Sequence, residues 1–452
     1  MRVLIVGAGV VGSNLAEELS DSGHDVSVID ADSHLVSRLK ERMDVLTIEG
    51  NGAQPSVLRR AGIADAEMVI AVTNVDEVNL VICMVANKLG VKHKIARLRN
   101  DEYTSKDAVL TPSEVGIDTV INPESIITET LARILEIPGS TDVSAFAEGQ
   151  VLAVTFDICA GAPIAGKKLL ELGQMVDTRT FLIAAIFRGE VPMVPRGDDR
   201  IEVGDHVVVL AKADAMDQVL PLVQPVVKPV ERIVIYGASL VGRQLAKTLQ
   251  DRLARVVLIE PDKDLARRAA EELKKTLVLH GEASDPDVLS EADTDHCCFF
   301  LALSRDDEAN LLAALMARRA HARRVAVLTQ EPRYVPILSN IGMDVVLNPR
   351  LVTVGEILRY IRKGEIHMVT RFKESEAEVM ELEAMKGSKV TKKPLKEIEF
   401  PNGSIIGAVM RESQMVIPDG NCQIGDGETV LVFALPEAIA KIEKLFSKRK
   451  LL

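Results

Sequence analysis

Gly7-x-Gly9-x-x-Gly12 closes one apolar run and opens a segment of helical apolar spacing, and Asp30 ends the next apolar run, 18 residues after Gly12. Glycines at this spacing suit one chemistry in that context, the cradling of a pyrophosphate. Gly7 permits a tight turn, Gly9 lets the backbone approach the phosphates, and Gly12 lets a helix pack close to a strand. The helix start offers free N–H groups and positive potential. Asp30 can accept from both hydroxyls of an adenine ribose. A 2′-phosphate would meet a carboxylate there with no neighbouring Arg, which favours NAD over NADP. NAD, NADH, ATP and ADP share the adenosine diol, so Asp30 does not separate them.

Further candidates stand where other strands must end. Asn51 follows the third apolar run, Thr73 and Asn74 the fourth, and Arg97 ends the fifth. Arg97 suits either a phosphate or a structural ion pair. Asp76 and Glu77 are expected to cap the helix that follows. A second set recurs in Gly237-Ala238-Ser239-Leu240-Val241-Gly242 and Glu260. Ser239 puts a Cβ and a hydroxyl where close approach is needed, so phosphates there sit further out or are absent. His280 abuts this second site and faces either a ligand or a neighbouring loop.

An enzyme using such a cofactor needs a proton donor or acceptor beside the reacting carbon. The eight histidines fall mostly where solvated loops or helix faces are expected. Neither a nucleophile elbow nor a metal-ligand spacing appears. The residues favour a nucleotide that is sensed over one that is consumed, with a soluble NAD-dependent oxidoreductase as the alternative.

Positioning these residues requires alternating strands and helices. Strands are expected at Arg2–Val6, Asp25–Ile29, Val45–Glu49, Met68–Val72, Lys94–Arg97 and Thr119–Ile121, with helices at Val11–Leu19 and Asn79–Leu89 between them. Buried strands alternating with helices give a parallel, doubly wound α/β sheet. Val151–Ile158, Thr180–Phe187, Val191–Val194 and His206–Ala211 read as strands of a smaller α+β module, with helices near Lys167–Leu172 and Ala213–Leu222.

The whole arrangement is duplicated. Gly7 and Gly237, and Asp30 and Glu260, are 230 residues apart; Asn79 and Asn310 are 231 apart; Asn122-Pro123 returns as Asn348-Pro349. Ile137-Pro138-Gly139-Ser140 interrupts the first half, a second break is expected near Gly364, and the prolines between Leu220 and Glu231 imply a stiff extended join. The expected domains are 1–137 and 230–364, both Rossmann-like, with small modules at 141–225 and 367–452.

Bulk properties agree. The chain of 452 residues has a net charge of −12 and no long basic stripe, Lys448–Lys450 being too short, which argues against a nucleic-acid partner. The first residues do not make a signal peptide, since Glu17, Glu18 and Asp21 follow too soon. No run reaches the length of a membrane span. The five cysteines suit reduced thiols, with Cys297-Cys298 expected as small buried hydrophobes.

Gly7-Ala8-Gly9-Val10-Val11-Gly12, Asp30, Thr73-x-x-Asp76-Glu77-x-Asn79 and Asn122-Pro123, each with a counterpart in the second half, resemble the tandem RCK (regulator of potassium conductance) family of Trk-type potassium uptake systems. The resemblance spans essentially the whole chain. It implies two Rossmann-like domains, each followed by a small RCK C-terminal domain. It also implies a cytoplasmic regulatory subunit that binds NAD, NADH or ATP, forms a ring of four tandem chains, and sits on the inner face of the membrane through a potassium transporter. By that resemblance the nucleotide contacts fall on Gly7 to Val11, Asp30, Thr73, Asn74 and Arg97, and on Gly237 to Val241 and Glu260. Ser239 departs from the glycine pattern.

Overall fold

Short apolar runs bounded by glycine and polar turn residues can bury both faces only in a sheet covered by helices. The computed structural model describes residues 1–447 except 106–107, 173–174, 176–179, 190, 227, 362–365, 373–376 and 413. Gly364 and the Lys448–Lys450 tail lie outside the described residues.

In the first half, β1 (Arg2–Val6), β2 (Asp25–Asp30), β3 (Leu46–Glu49), β4 (Met68–Ala71), β5 (His93–Arg97) and β6 (Thr119–Ile121) form a six-stranded sheet of order β3-β2-β1-β4-β5-β6. Every pairing is parallel. The connecting helices are α1 (Val10–Asp21), α2 (Ser33–Arg42), α3 (Pro55–Arg60), α4 (Asp76–Lys88) and α5 (Pro123–Glu136). The strand order reverses direction between β1 and β4, and ligands of such sheets bind at the carboxyl ends beside that switch. Leu4, Val6, Ile29, Val69, Ile82 and Cys83 fill the space between sheet and helices. Burial pushes the Cys83 thiol up to about 12, so it stays protonated.

A small antiparallel module follows. It contains β7 (Ser140–Phe146), β8 (Val151–Asp157), α6 (Leu169–Leu172), β9 (Phe181–Arg188), β10 (Val191–Met193), β11 (His206–Lys212) and α7 (Met216–Val223), with strand order β10-β9-β11-β8-β7.

The second half repeats both sheets. The parallel one holds β12 (Arg232–Tyr236), α8 (Leu240–Leu249), β13 (Arg255–Glu260), α9 (Lys263–Glu272), β14 (Leu277–His280), α10 (Pro286–Glu291), β15 (Phe299–Ala302), α11 (Asp307–Arg319), β16 (Val325–Leu328), α12 (Tyr334–Asn340), β17 (Val345–Leu347) and α13 (Pro349–Ile361). Its strand order is β14-β13-β12-β15-β16-β17. The antiparallel one holds β18 (Ile366–Phe372), β19 (Ala377–Glu383), β20 (Ser404–Arg411), β21 (Gln414–Val416), β22 (Thr429–Ala434) and α14 (Pro436–Phe446). The fold is two Rossmann-like doubly wound domains, each followed by a small α+β module.

Contacts divide the chain into two units, Met1–Ile127 with Asn348–Leu358, and Thr128–Leu347 with Arg359–Leu452. The crossover helices are thus shared out. The start of α13 belongs with the first sheet. The later part of α5 lies in the second unit, where Glu136 accepts from Arg252 at 2.6 Å. Within the second unit the two small modules share one apolar core, built from Phe146, Val151 and Leu210 of one and Val379, Ala408 and Phe433 of the other. The Leu210 side chain fits against Gly407, where a Cβ would lie 2.1 Å from Leu210 Cδ1.

Three expectations need correction. The stretch expected to interrupt the first half does not run clear of secondary structure, because β7 begins at Ser140; its mixed small and polar residues, Ser140-Thr141-Asp142-Val143-Ser144, hide a strand that pairs antiparallel with β8. The join is shorter than expected, because α7 carries Leu220 and Pro221 inside a helix whose Val219, Leu222 and Val223 are buried. Burial outweighs the lost N–H of one proline. Finally, Cys297 is buried but Cys298 is only partly so.

Candidate nucleotide site

The site is assembled by strand order. Along the carboxyl edge of the first sheet stand Asn51 after β3, Asp30 at the end of β2, Gly7–Gly12 after β1, Thr73 and Asn74 after β4, and Arg97 at the end of β5. Residues far apart in sequence thus form one row across the switch point.

The glycines have separable roles. Gly7 has φ +112°, and a Cβ there would press on the Val72 carbonyl at 3.0 Å. Gly12 faces β1 so closely that a Cβ would lie 1.7 Å from the Gly7 carbonyl oxygen. Around Gly9 a Cβ would meet nothing within 4 Å, so the fold itself does not require a glycine there. Gly9 is the N-cap of α1 and provides no side-chain cap, leaving the first-turn N–H groups to a ligand. Ala8, Val11 and Gly12 are buried, so only their backbone can face the cleft.

Asp30 braces this loop. One carboxylate oxygen accepts from Ala8 N at 2.5 Å and the other from Asp32 N at 2.8 Å. Each oxygen keeps a lone pair for a ribose hydroxyl. Asn51 is exposed, with its Oδ1 accepting from Ala53 N at 2.9 Å. The Thr73 hydroxyl is already engaged, 2.7 Å from Asn79 Oδ1, while Asn74 is exposed.

Asn79 marks the repeat in the sequence, but its work is visible only in the fold. Fully buried on α4, it accepts from Thr73 N and Oγ1 at 3.0 and 2.7 Å and donates to the carbonyls of Thr73 and Arg97 at 3.1 and 2.8 Å. It ties the ends of β4 and β5 together beneath the cleft. Asn310 does the same between Ser304 and Leu328. Asn79→Leu keeps the volume and removes these bonds, leaving buried donors and acceptors unmade. We expect a loss of about 2–4 kcal/mol of stability, read from denaturant midpoints. A change under about 0.5 kcal/mol would show that the clamp is dispensable.

Asp76 and Glu77 are not caps. The N-cap of α4 is Val75, without a side-chain bond. Asp76 instead accepts from the backbone N–H groups of Arg99 and Asn100, both at 2.8 Å, and Glu77 from the Tyr103 hydroxyl at 3.2 Å. The loop after β5 has backbone donors with no ladder partner, and Asp76 satisfies them. Local sequence reading sees only the helix start and misses this longer-range demand.

The second row is built alike with different contents. Glu260 accepts from Ala238 N and from Asp262 N. Ser239 caps α8, accepting from Gly242 N at 3.1 Å and donating to Leu303 O at 2.6 Å. Its hydroxyl occupies a donor that the first site leaves open. Arg243, aligned with Ser13, donates to Ala238 O at 2.6 Å. Glu282, aligned with Asn51, accepts from the Tyr236 hydroxyl at 3.1 Å. Burial, then Glu282, raises the Tyr236 pKa. Leu328 is buried where the first row has Arg97. His280 lies 3.1 Å from the Pro261 carbonyl, in the loop after β13. In the second unit Asp293, Asp295 and His296 also come together, with Asp293 paired to Arg232 and Arg255.

Comparison with known proteins places this architecture. The TrkA-N domain model matches residues 3–123 and 233–349, and the TrkA-C domain model matches 154–224 and 379–447. The chain belongs to the TrkA family. It is 34% identical over 454 residues to the Trk system potassium uptake protein TrkA of Halomonas elongata, covering 99% of this chain and 98% of that one. It is also 34% identical to TrkA homolog 1 of Methanosarcina mazei over 455 residues, 99% of this chain and 100% of the other. Among solved structures it shares the fold of the GsuK RCK domain, at 18% identity and TM-score 0.62, covering 98% and 94% of the two chains. The structure titled GsuK channel bound to NAD gives 18% identity and TM-score 0.63, covering 98% and 78%. For a TrkA-family chain the duplicated sheets are therefore the duplicated TrkA-N domains, and the antiparallel modules are the TrkA-C domains.

Proposed function

We propose that this chain is a cytoplasmic regulatory subunit of a potassium uptake transporter, and that it reads NAD, NADH or an adenine nucleotide in its first TrkA-N domain. The observation that carries the reading is the row formed by the open α1 N-terminus, Gly9 and Asp30 at the switch point of the first sheet. Site contacts are assigned to Gly7, Ala8, Gly9, Val10, Val11, Gly12, Asp30, Asn51, Thr73, Asn74 and Arg97. The counterparts Gly237, Ala238, Ser239, Leu240, Val241 and Glu260 form a weaker second site. Domain limits are assigned at 137/141, 225/230 and 364/367. A ligand can bias the transporter only through unequal affinity for two arrangements of the assembly.

Assembly of several chains into a ring is supported by two helices that expose apolar side chains at matching positions. Val81 and Met84 do so on α4, and Leu312 and Leu315 on α11. Four apolar residues left to water at matching places on two helices suit a second copy of the chain. No described helix is long and apolar enough to cross a membrane, so attachment would run through the transporter.

The test has two readouts. Calorimetry of the purified chain should show NADH binding, and NADH absorbance should stay constant against a panel of carbonyl metabolites. Sedimentation should give a mass of four chains. Steady consumption of NADH with any metabolite would replace the regulatory reading with an oxidoreductase.

A further inference from the structure

The net charge of −12 is spread unevenly. In the second TrkA-C domain, residues 385–396, between β19 and β20, hold five lysines and no Asp or Glu. The fold turns these lysines outward. Ser388 and Val390 are buried, and Val390 joins the apolar core of the module with Leu395 packed against it. Met385 N and Val390 N donate to the carbonyls of Phe446 and Leu445 at 3.3 and 3.2 Å, which pins the loop to the last turn of α14 and sets exposed Lys444 beside it. Lys386, Lys389, Lys392, Lys393 and Lys396 are all exposed. Their charges are barely answered. Lys393 has Glu397 at 3.9 Å, and Lys396 reaches only the neutral amide of Asn421, at 2.9 Å. The ammonium groups of Lys386, Lys389 and Lys392 have no partner among the described residues, and Asp426 accepts from Gly387 N at 3.3 Å. The first TrkA-C domain shows that the module does not need such a loop. Between β8 and α6 it carries only Lys167 and Lys168, and Lys168 pairs with Asp198 at 2.9 Å. Like charges crowded into one loop repel each other, and an external anion relieves that repulsion.

The residue types narrow the anion. All five cations in the loop are lysines, compact charges on flexible stems, which suit a diffuse negative surface better than the bidentate grip that arginine gives one phosphate or carboxylate. The loop has no aromatic residue on which a nucleic-acid base could stack. Clusters of about four to eight cations beside a membrane hold anionic lipid. A transporter subunit with no described helix able to span the bilayer stands beside such a surface. We propose that the lysine face of residues 385–396 docks on the anionic lipid headgroups around the transporter. The proposal rests on the reading of this chain as a subunit of a membrane transporter. The acidic remainder of the chain is repelled by the same plane, so one attractive face on a repelled body orients the subunit as well as holding it.

The test is co-sedimentation of the full chain with transporter-free vesicles at physiological ionic strength. One set is phosphatidylcholine alone and the other is phosphatidylcholine mixed with phosphatidylglycerol. The wild type should bind the mixed vesicles and not the neutral ones, and high salt should release it. Lys386→Gln, Lys389→Gln and Lys392→Gln together should weaken that binding at least about tenfold. Lys40→Gln, Lys92→Gln and Lys247→Gln together remove the same charge from exposed lysines elsewhere and should change it less than about twofold. If the first triple variant does not fold, Lys389→Glu alone serves, with a smaller loss. An equal loss in both triple variants means that bulk charge governs, and it overturns the proposal. Failure of the wild type to bind the mixed vesicles also overturns it, and retention on polyglutamate or single-stranded DNA in that case gives the face to a protein or nucleic-acid partner. Calorimetry with NADH on the same preparations keeps the two readings apart. A chain that binds NADH but no vesicle loses the lipid face and keeps the nucleotide site, and a chain that binds vesicles but no NADH does the reverse.

Discussion

Asp30→Ala is expected to weaken NADH binding by at least about 100-fold, the largest effect of any single side chain at the site. The carboxylate is asked to do two things. It accepts from Ala8 N at 2.5 Å and so fixes the glycine-rich loop, and its remaining lone pairs face where a ribose diol must lie. Two charge-assisted hydrogen bonds contribute about 1.5–3 kcal/mol each, and about 1.4 kcal/mol is tenfold in affinity. Asp30→Asn keeps the shape and one acceptor, so about tenfold is expected there. Calorimetry with both variants checks the order. Wild-type affinity in Asp30→Ala would mean that the ribose sits elsewhere. Glu260 makes the same bond to Ala238 N, yet Glu260→Ala should leave binding at the first row unaltered, because the two sites lie on different sheets.

Much of this site could be read from the chain alone, for a physical reason. Strands buried on both faces must be apolar throughout, so β1 and β6 are visible to the residue and β2 to β5 within one. The glycines and Asp30 fall at strand ends that the same pattern locates. What stayed hidden has a common cause, dependence on partners distant in sequence. β7 is neither apolar nor alternating, and it becomes a strand because β8 offers a ladder. Asp76 looks like a helix cap until the loop after β5 presents two N–H groups to it. Asn79 is a polar residue on a helix face, and only the fold shows that the face is buried beneath two strand ends.

The two rows differ in a way that separates folding from binding, and Gly12 tests the separation. Gly12→Ala places a Cβ 1.7 Å from the Gly7 carbonyl oxygen, and Gly242→Ala places one 2.1 Å from that of Gly237. The obstructing atoms are backbone and cannot turn aside as a side chain would, so α1 or α8 must lift from its sheet. Overpacking of this kind costs about 1–3 kcal/mol or more, and both variants should melt several degrees lower. Only Gly12→Ala should also lose NADH binding, since the lifted helix carries the N–H groups that receive the phosphates. If Gly12→Ala melts lower but binds NADH like the wild type, the pyrophosphate does not rest on that helix and the site is misplaced. The second copy retains both glycines that the fold cannot do without, Gly237 and Gly242. It replaces Gly9, where the fold has room for a side chain, with Ser239, whose hydroxyl then caps the helix. The glycine lost is the one that only a ligand needs, and the second row has buried Leu328 where the first has Arg97. On that argument the second row holds a nucleotide more weakly than the first, and the first carries the signal.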